Sequence, residues 1–199
     1  MSAGTDYAVE TNGLTRRFGS FVAVDHVTLK IPKGQLYGFL GLNGAGKTTT
    51  IRVLTTLLPP TEGTAALWGH DVVEEPLAVR KLVGLVSDET SESQSTWTAR
   101  EYLGCFARIR HLPDPAGEVE RLLDLPAKHE TWNLLRNLAA QEQVTTFLSS
   151  HDAQEIRSLC SEVSVIARGK LVYTGATHEL GADLEAFEER LIELLTHQG

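Results

Sequence analysis

The stretch Gly41-Leu42-Asn43-Gly44-Ala45-Gly46-Lys47-Thr48-Thr49 constrains this chain more than any other. It satisfies the phosphate-binding pattern G-x-x-x-x-G-K-[ST] at every fixed position. The glycines let the backbone curl tightly and turn successive N–H groups inward, which makes a nest for anionic oxygens. Lys47 has the reach for β- and γ-phosphates, and the Thr48 hydroxyl is placed to ligate Mg²⁺. Residues 35–40 (Gln-Leu-Tyr-Gly-Phe-Leu) read as a buried strand running into the loop. Residues 47–57 read as a helix closed by Pro59-Pro60. A helix that begins at the loop adds the positive end of its dipole to the same place. A merely structural glycine turn would not demand strand, loop and helix in that order. The stretch reads as a nucleotide-phosphate site.

The rest of the sequence bounds the setting. A chain of 199 residues with 42% hydrophobic content can bury a real core. No apolar run approaches the length of a membrane span, and the first residues lack the layout of a secretory signal. Cys105 and Cys160 are isolated, without metal or redox spacing, which suits a reducing cytosolic setting. The net charge of −8, with no basic stripe against it, argues against a nucleic-acid binder. The acidic tail residues (Glu179, Asp183, Glu185, Glu188, Glu189, Glu193) read as the solvated face of one helix.

Taken in order, residues 7–11 and 21–31 read as strands, with Arg16-Arg17-Phe18-Gly19 between them. Residues 63–68 read as a short strand, 76–82 as a helix opened by proline, and 83–86 as another strand. The polar segment 87–96 leads into a helix over 98–110 with an apolar stripe of Ala99, Leu103 and Phe106. Helical pieces follow at 118–125 and 128–140. Next come a strand at 144–149 ending in Ser149-Ser150-His151-Asp152 and a helix over 153–159. Strands 163–167 and 171–174 are turned by Arg168-Gly169-Lys170, and 183–197 is an amphipathic helix.

At this point an ordered series of motifs resembles the ATP-binding subunit of ABC transporters, closest to those of drug-type or ABC-2 exporters. Phe18, in Arg17-Phe18-Gly19, stands where that family places an adenine-stacking aromatic; Phe18 keeps the ring of the usual Tyr but not its hydroxyl, and its other reading is plain core. Gly41 to Thr49 matches the family's Walker A loop in full. His151 looks like the switch histidine that touches the γ-phosphate, although a histidine after a strand can also be a surface or capping residue. Arg168-Gly169-Lys170, then Gly175 and Glu179-Leu180, is similar to the family's closing hairpin and helix.

Three departures set this chain apart. The family's glutamine after the strand at 83–86 falls on Asp88, which could still reach Mg²⁺ through water. No LSGGQ-like signature is present, so a symmetric two-site ATP sandwich cannot be completed in the usual way. No Walker B strand ends in Asp-Glu, the pair that binds Mg²⁺ and activates the attacking water. Residues 118–123 read like the helix before the signature, and 123–128 like the loop after Walker B, with Leu123-Asp124 as the join. Asp124 reads equally as that loop's aspartate or as an ordinary helix residue.

The resemblance therefore implies a single α/β domain over 1–199. It has a P-loop NTPase-type core, an N-terminal antiparallel β subdomain, and a helical subdomain truncated to residues 87–123. It implies ATP and Mg²⁺ as ligands, with turnover slow or absent for want of the acid pair. A membrane permease is the implied partner, with a homodimer or a heterodimer with another ATP-binding subunit possible, and the place is the cytoplasm, peripheral on the inner face of the membrane. The alternatives are a non-catalytic regulatory or assembly partner, or a deleted remnant without a task. Another P-loop enzyme fits less well, since no Asn-Lys-x-Asp guanine-reading motif is present.

Overall fold

The computed structural model describes residues 6–85, 114 and 144–196. By its internal contacts the chain divides into one unit of residues 1–83 and 135–199 and a second of 84–134. The architecture below is that of the first unit. The helices expected at 98–110, 118–125 and 128–140, together with Asp88, Cys105 and the join at Leu123-Asp124, lie outside the described residues.

Two sheets form the unit. The first is antiparallel: β1 (Tyr7–Phe18), β2 (Phe21–Val27), β3 (Lys30–Pro32), β5 (Glu62–Leu67) and β6 (His70–Asp71). Its order is β2-β1-β5-β6, with β3 also paired to β1. The second runs β7 (Thr146–Ser150), β4 (Leu36–Leu40), β8 (Glu162–Ala167) and β9 (Lys170–Ala176). Its first three strands are parallel and β9 returns antiparallel to β8. The helices are α1 (Lys47–Leu54), α2 (Pro76–Leu82), α3 (Ala153–Leu159) and α4 (Leu184–Thr196).

All five residues of β4 are buried, as a strand flanked on both edges and covered on both faces requires. Phe39 and Tyr37 join Val9, Leu14, Val24, Ile31, Val53 and Ile166 in one core that links the two sheets. α3 lays the buried Ile156 on Gly38, where a Cβ would stand 2.8 Å from its Cγ2. The α/β reading with an antiparallel N-terminal portion therefore holds.

The larger differences from expectation each have a physical reason. The strand expected at 7–11 runs on to Phe18, because β1 pairs with β2 through Phe18–Phe21 and with β5 through Thr15–Glu62. The strand expected at 21–31 is cut in two by Thr11. Its hydroxyl donates to the Val27 carbonyl (2.9 Å) and accepts from the Leu29 N–H (2.8 Å), replacing a ladder bond. Residues 83–85 carry no strand, although Val83 has extended dihedrals at the end of α2. Among the described residues β7 is then the last strand of its sheet.

The phosphate-loop helix also stops early, at Leu54 rather than residue 57. Thr56 sits at φ +64°, its N–H bonds the Val53 carbonyl (3.1 Å), and the Leu57 N–H bonds the Arg52 carbonyl (2.8 Å). These are the two bonds of a Schellman cap, which normally places glycine or asparagine at the left-handed position. A β-branched residue there is strained, and the Thr56 hydroxyl is held by Arg80 Nε at 2.6 Å. Thr56→Asn tolerates the conformation and keeps a side-chain oxygen for Arg80. It should stabilise the fold by about 1 kcal/mol, raising Tm by about 2–4 °C. An unchanged or lowered midpoint in calorimetry would show that the threonine's own bond outweighs the strain.

Candidate functional site

The loop Gly41 to Thr49 leaves the C-terminal end of β4 and enters α1 at Lys47. The Ala45 N–H bonds the Leu42 carbonyl at 3.1 Å, closing the turn. Gly46 caps the helix at φ +106° with no side-chain cap bond, and no acidic residue lies in the first turn of α1. α3 is the contrast: Asp152 accepts from the Glu155 N–H at 3.1 Å, so a carboxylate already fills that N-terminus. The start of α1 is left for an external anion.

Lys47 lies back across its own loop. Its Nζ donates to the carbonyls of Gly41 (2.5 Å) and Leu42 (3.0 Å), and burial lowers its pKa below the usual lysine value. An ammonium held by two carbonyls in a half-buried setting is poised to exchange them for phosphate oxygens. The Thr48 hydroxyl stands on the same first turn. Among the described residues no cluster of acids, His or Cys could hold a metal by itself.

The parallel register pairs Leu40 with Ser150. Gly41 and His151 therefore leave neighbouring strands at the same end of the sheet, and His151 is exposed there. Ser150 anchors the turn: its Oγ donates to Glu155 Oε2 (2.7 Å) and accepts from the Asp152 N–H (3.0 Å). Phe18 ends β1 with 45% of its surface exposed, so it is not core, and the Arg16 guanidinium lies 4.7 Å from its ring centroid. Across the hairpin turn Phe21 is 61% exposed, a second aromatic at that tip that sequence reading passed over.

Sequence reading also passed over what sits behind the loop. The Gly169 N–H bonds the Ala45 carbonyl at 2.9 Å, and the Asp25 N–H bonds the Gly169 carbonyl at 2.8 Å. Asp25 Oδ2 lies 3.3 Å from Lys170 Nζ, and its Oδ1 bonds His26 Nδ1 at 2.5 Å. The His26 bond first, and then Lys170, hold the Asp25 carboxyl below its usual pKa. Its tie to Lys170 is thus present at neutral pH and is lost only as the pH falls through that lowered value. The Arg168-Gly169-Lys170 motif carried the only sequence signal of this contact.

The family model described as ABC transporter matches residues 24–173, three quarters of the chain. The chain belongs to the ABC transporter family. Its curated relatives include the daunorubicin/doxorubicin resistance ATP-binding protein of Streptomyces peucetius. That protein is 31% identical over 92% of this chain and 70% of its own length. The bacitracin transport ATP-binding protein of Bacillus licheniformis is 29% identical over 82% of this chain and 68% of its own. A solved ATP-binding subunit of an ABC transporter superposes with a TM-score of 0.72 at 17% identity. The match covers 94% of this chain and 99% of that one, and shows the shared fold. This chain is the ATP-binding subunit of such a transporter.

The alignments also show a shortfall in this ABC subunit. The first of the two spans 231 positions but takes in 92% of 199 residues, about 183, leaving about 48 positions without a counterpart here. The second spans 211 positions against 82%, about 163, and again leaves about 48.

Proposed function

We propose that this subunit binds ATP with Mg²⁺ at Gly41 to Thr49 to energise or regulate export through a separate membrane permease, and that it turns ATP over slowly or not at all. The observation that carries the proposal is a helix start with no side-chain cap behind an intact phosphate loop, in a chain none of whose described strands ends in Asp-Glu.

In this reading the N–H groups of Gly44, Gly46, Lys47 and Thr48 cradle the phosphates, with Leu42, Asn43, Ala45 and Thr49 shaping the cradle. Lys47 leaves its two carbonyls for the β- and γ-oxygens, and Phe18 offers its ring face to the adenine. The exposed imidazole of His151 contacts the γ-phosphate from the neighbouring strand end. The single hydroxyl of Thr48 suits Mg²⁺, which arrives on phosphates and keeps several waters, with Asp88 as a second, water-mediated ligand. When bound, the metal neutralises charge on the phosphate oxygens.

The missing group is the one that activates water. General-base assistance typically contributes 10²–10⁴-fold, and no described strand ends in the Asp-Glu pair that would supply it. Without the signature motif the ATP sandwich would have to be completed by an intact ATP-binding subunit rather than by a second identical copy. The subunit would then sit in the cytoplasm, peripheral to the inner face of the membrane. Among the described residues no helix is long and apolar enough to cross a bilayer. A regulatory or assembly partner without catalysis is the second reading, favoured by the missing 48 positions.

Titration with a fluorescent ATP analogue and Mg²⁺, paired with a phosphate-release assay, tests the reading. Saturable binding is expected, with phosphate release no faster than from Lys47→Ala. Release at about 1–10 s⁻¹, abolished by Lys47→Ala, would overturn the slow-turnover proposal.

A further inference from the structure

We propose that Gly169, at the tip of the β8–β9 hairpin, is a positioning residue for nucleotide binding: it holds the Ala45 carbonyl and so aims the Gly46 N–H into the phosphate cradle. The inference rests on the reading of Gly41 to Thr49 as a nucleotide site.

The geometry follows from peptide planarity. The Ala45 carbonyl and the Gly46 N–H belong to one trans peptide unit and point in opposite directions. With the carbonyl bonded to the Gly169 N–H at 2.9 Å, the Gly46 N–H faces away from the hairpin. Only glycine fits at 46, where a Cβ would meet the Ala23 carbonyl oxygen at 2.3 Å.

The hairpin tip is itself fixed. Gly169 sits at φ +83°, where a Cβ would stand 3.0 Å from the same Ala23 oxygen. Its carbonyl accepts from the Asp25 N–H at 2.8 Å, and Lys170 is tied to the Asp25 carboxylate at 3.3 Å. Three segments far apart in sequence, 23–25, 45–46 and 168–170, thus close one chain of bonds. The loop's other internal bonds, from Ala45 N–H to Leu42 and from Lys47 Nζ to Gly41 and Leu42, are local and do not fix that peptide against the fold.

The test compares Gly169→Ala with Leu191→Ala, a cavity in α4 away from the loop. The readouts are the Kd for a fluorescent ATP analogue with Mg²⁺, the thermal midpoint, and the amide proton shift of Gly46 on adding ADP. Gly169→Ala should weaken binding about tenfold and abolish the Gly46 shift. Leu191→Ala should lower the midpoint while keeping Kd within twofold. Should Gly169→Ala fail to fold, Lys170→Gln decides, with binding weakened about threefold and restored by Lys170→Arg.

Binding within twofold in both hairpin variants, or equal weakening by Leu191→Ala, would overturn the proposal alone. Absence of binding in the unaltered chain would instead overturn the nucleotide-site reading and the proposal with it.

Discussion

Replacing Lys47 by alanine should weaken ATP binding about 100-fold while leaving the thermal midpoint nearly unchanged. The first half follows from the bonds that are lost. A charged amine donating to phosphate oxygens contributes about 3 kcal/mol, which is two decades of affinity. The second half follows from the unliganded geometry. Lys47 Nζ donates to the Gly41 and Leu42 carbonyls, which water can take over, and burial has already lowered its pKa. A depressed lysine pKa means that the empty fold holds the ammonium less favourably than the unfolded chain does. Stability on this account rises as the pH climbs through the lowered value toward the ordinary one, and removing the charge has the same sign. Isothermal titration and thermal unfolding of the same preparation read both halves. A Kd within threefold of the unaltered chain would show that the loop does not use its lysine.

Phe39→Ala is the largest expected loss of stability, about 3–5 kcal/mol. Phe39 is fully buried in the strand that delivers the loop, and its ring lies 5.1 Å from that of Phe147. Truncation leaves a cavity between β4 and β7 that neither strand can close without giving up the register that aligns Leu40 with Ser150. A domain stable by about 5–15 kcal/mol loses a large share of its margin. The urea midpoint should fall steeply, and nucleotide binding should vanish together with the fold. Phe39→Leu fills most of the volume and should cost less than about 1.5 kcal/mol, with binding kept. An unmoved midpoint in Phe39→Ala would mean that the ring is not where the core places it.

What the sequence made legible was local chemistry. Pro76 opens α2 and Asp152 with Glu155 caps α3, and both helices begin and end where the sequence places them. Arg168-Gly169 turns its hairpin because both residues take positive φ, at 49° and 83°. The phosphate loop was legible because its pattern, its strand and its helix agree. What could not be read was set by distant partners. Nothing near Thr11 says that its hydroxyl will interrupt the strand at Val27 and Leu29. Pro59-Pro60 suggested a helix end that Thr56 reaches first. Residues 83–85 have strand composition but no strand, since pairing is decided by neighbours and not by the segment itself. The contact from Gly169 to Ala45 joins residues that no local pattern relates.

Both neighbours of β4 come from the last third of the chain. A ribosome releasing residues in order would finish Leu36–Leu40, apolar along its whole length, long before β7 or β8 exists. At about 5–20 residues per second that interval is roughly ten seconds. During it the strand that will carry the phosphate loop has unpaired backbone edges and an apolar surface in water. Folding of this subunit therefore depends on late, long-range closure. Chaperone capture or aggregation of chains stalled before residue 167 is the hazard this topology creates.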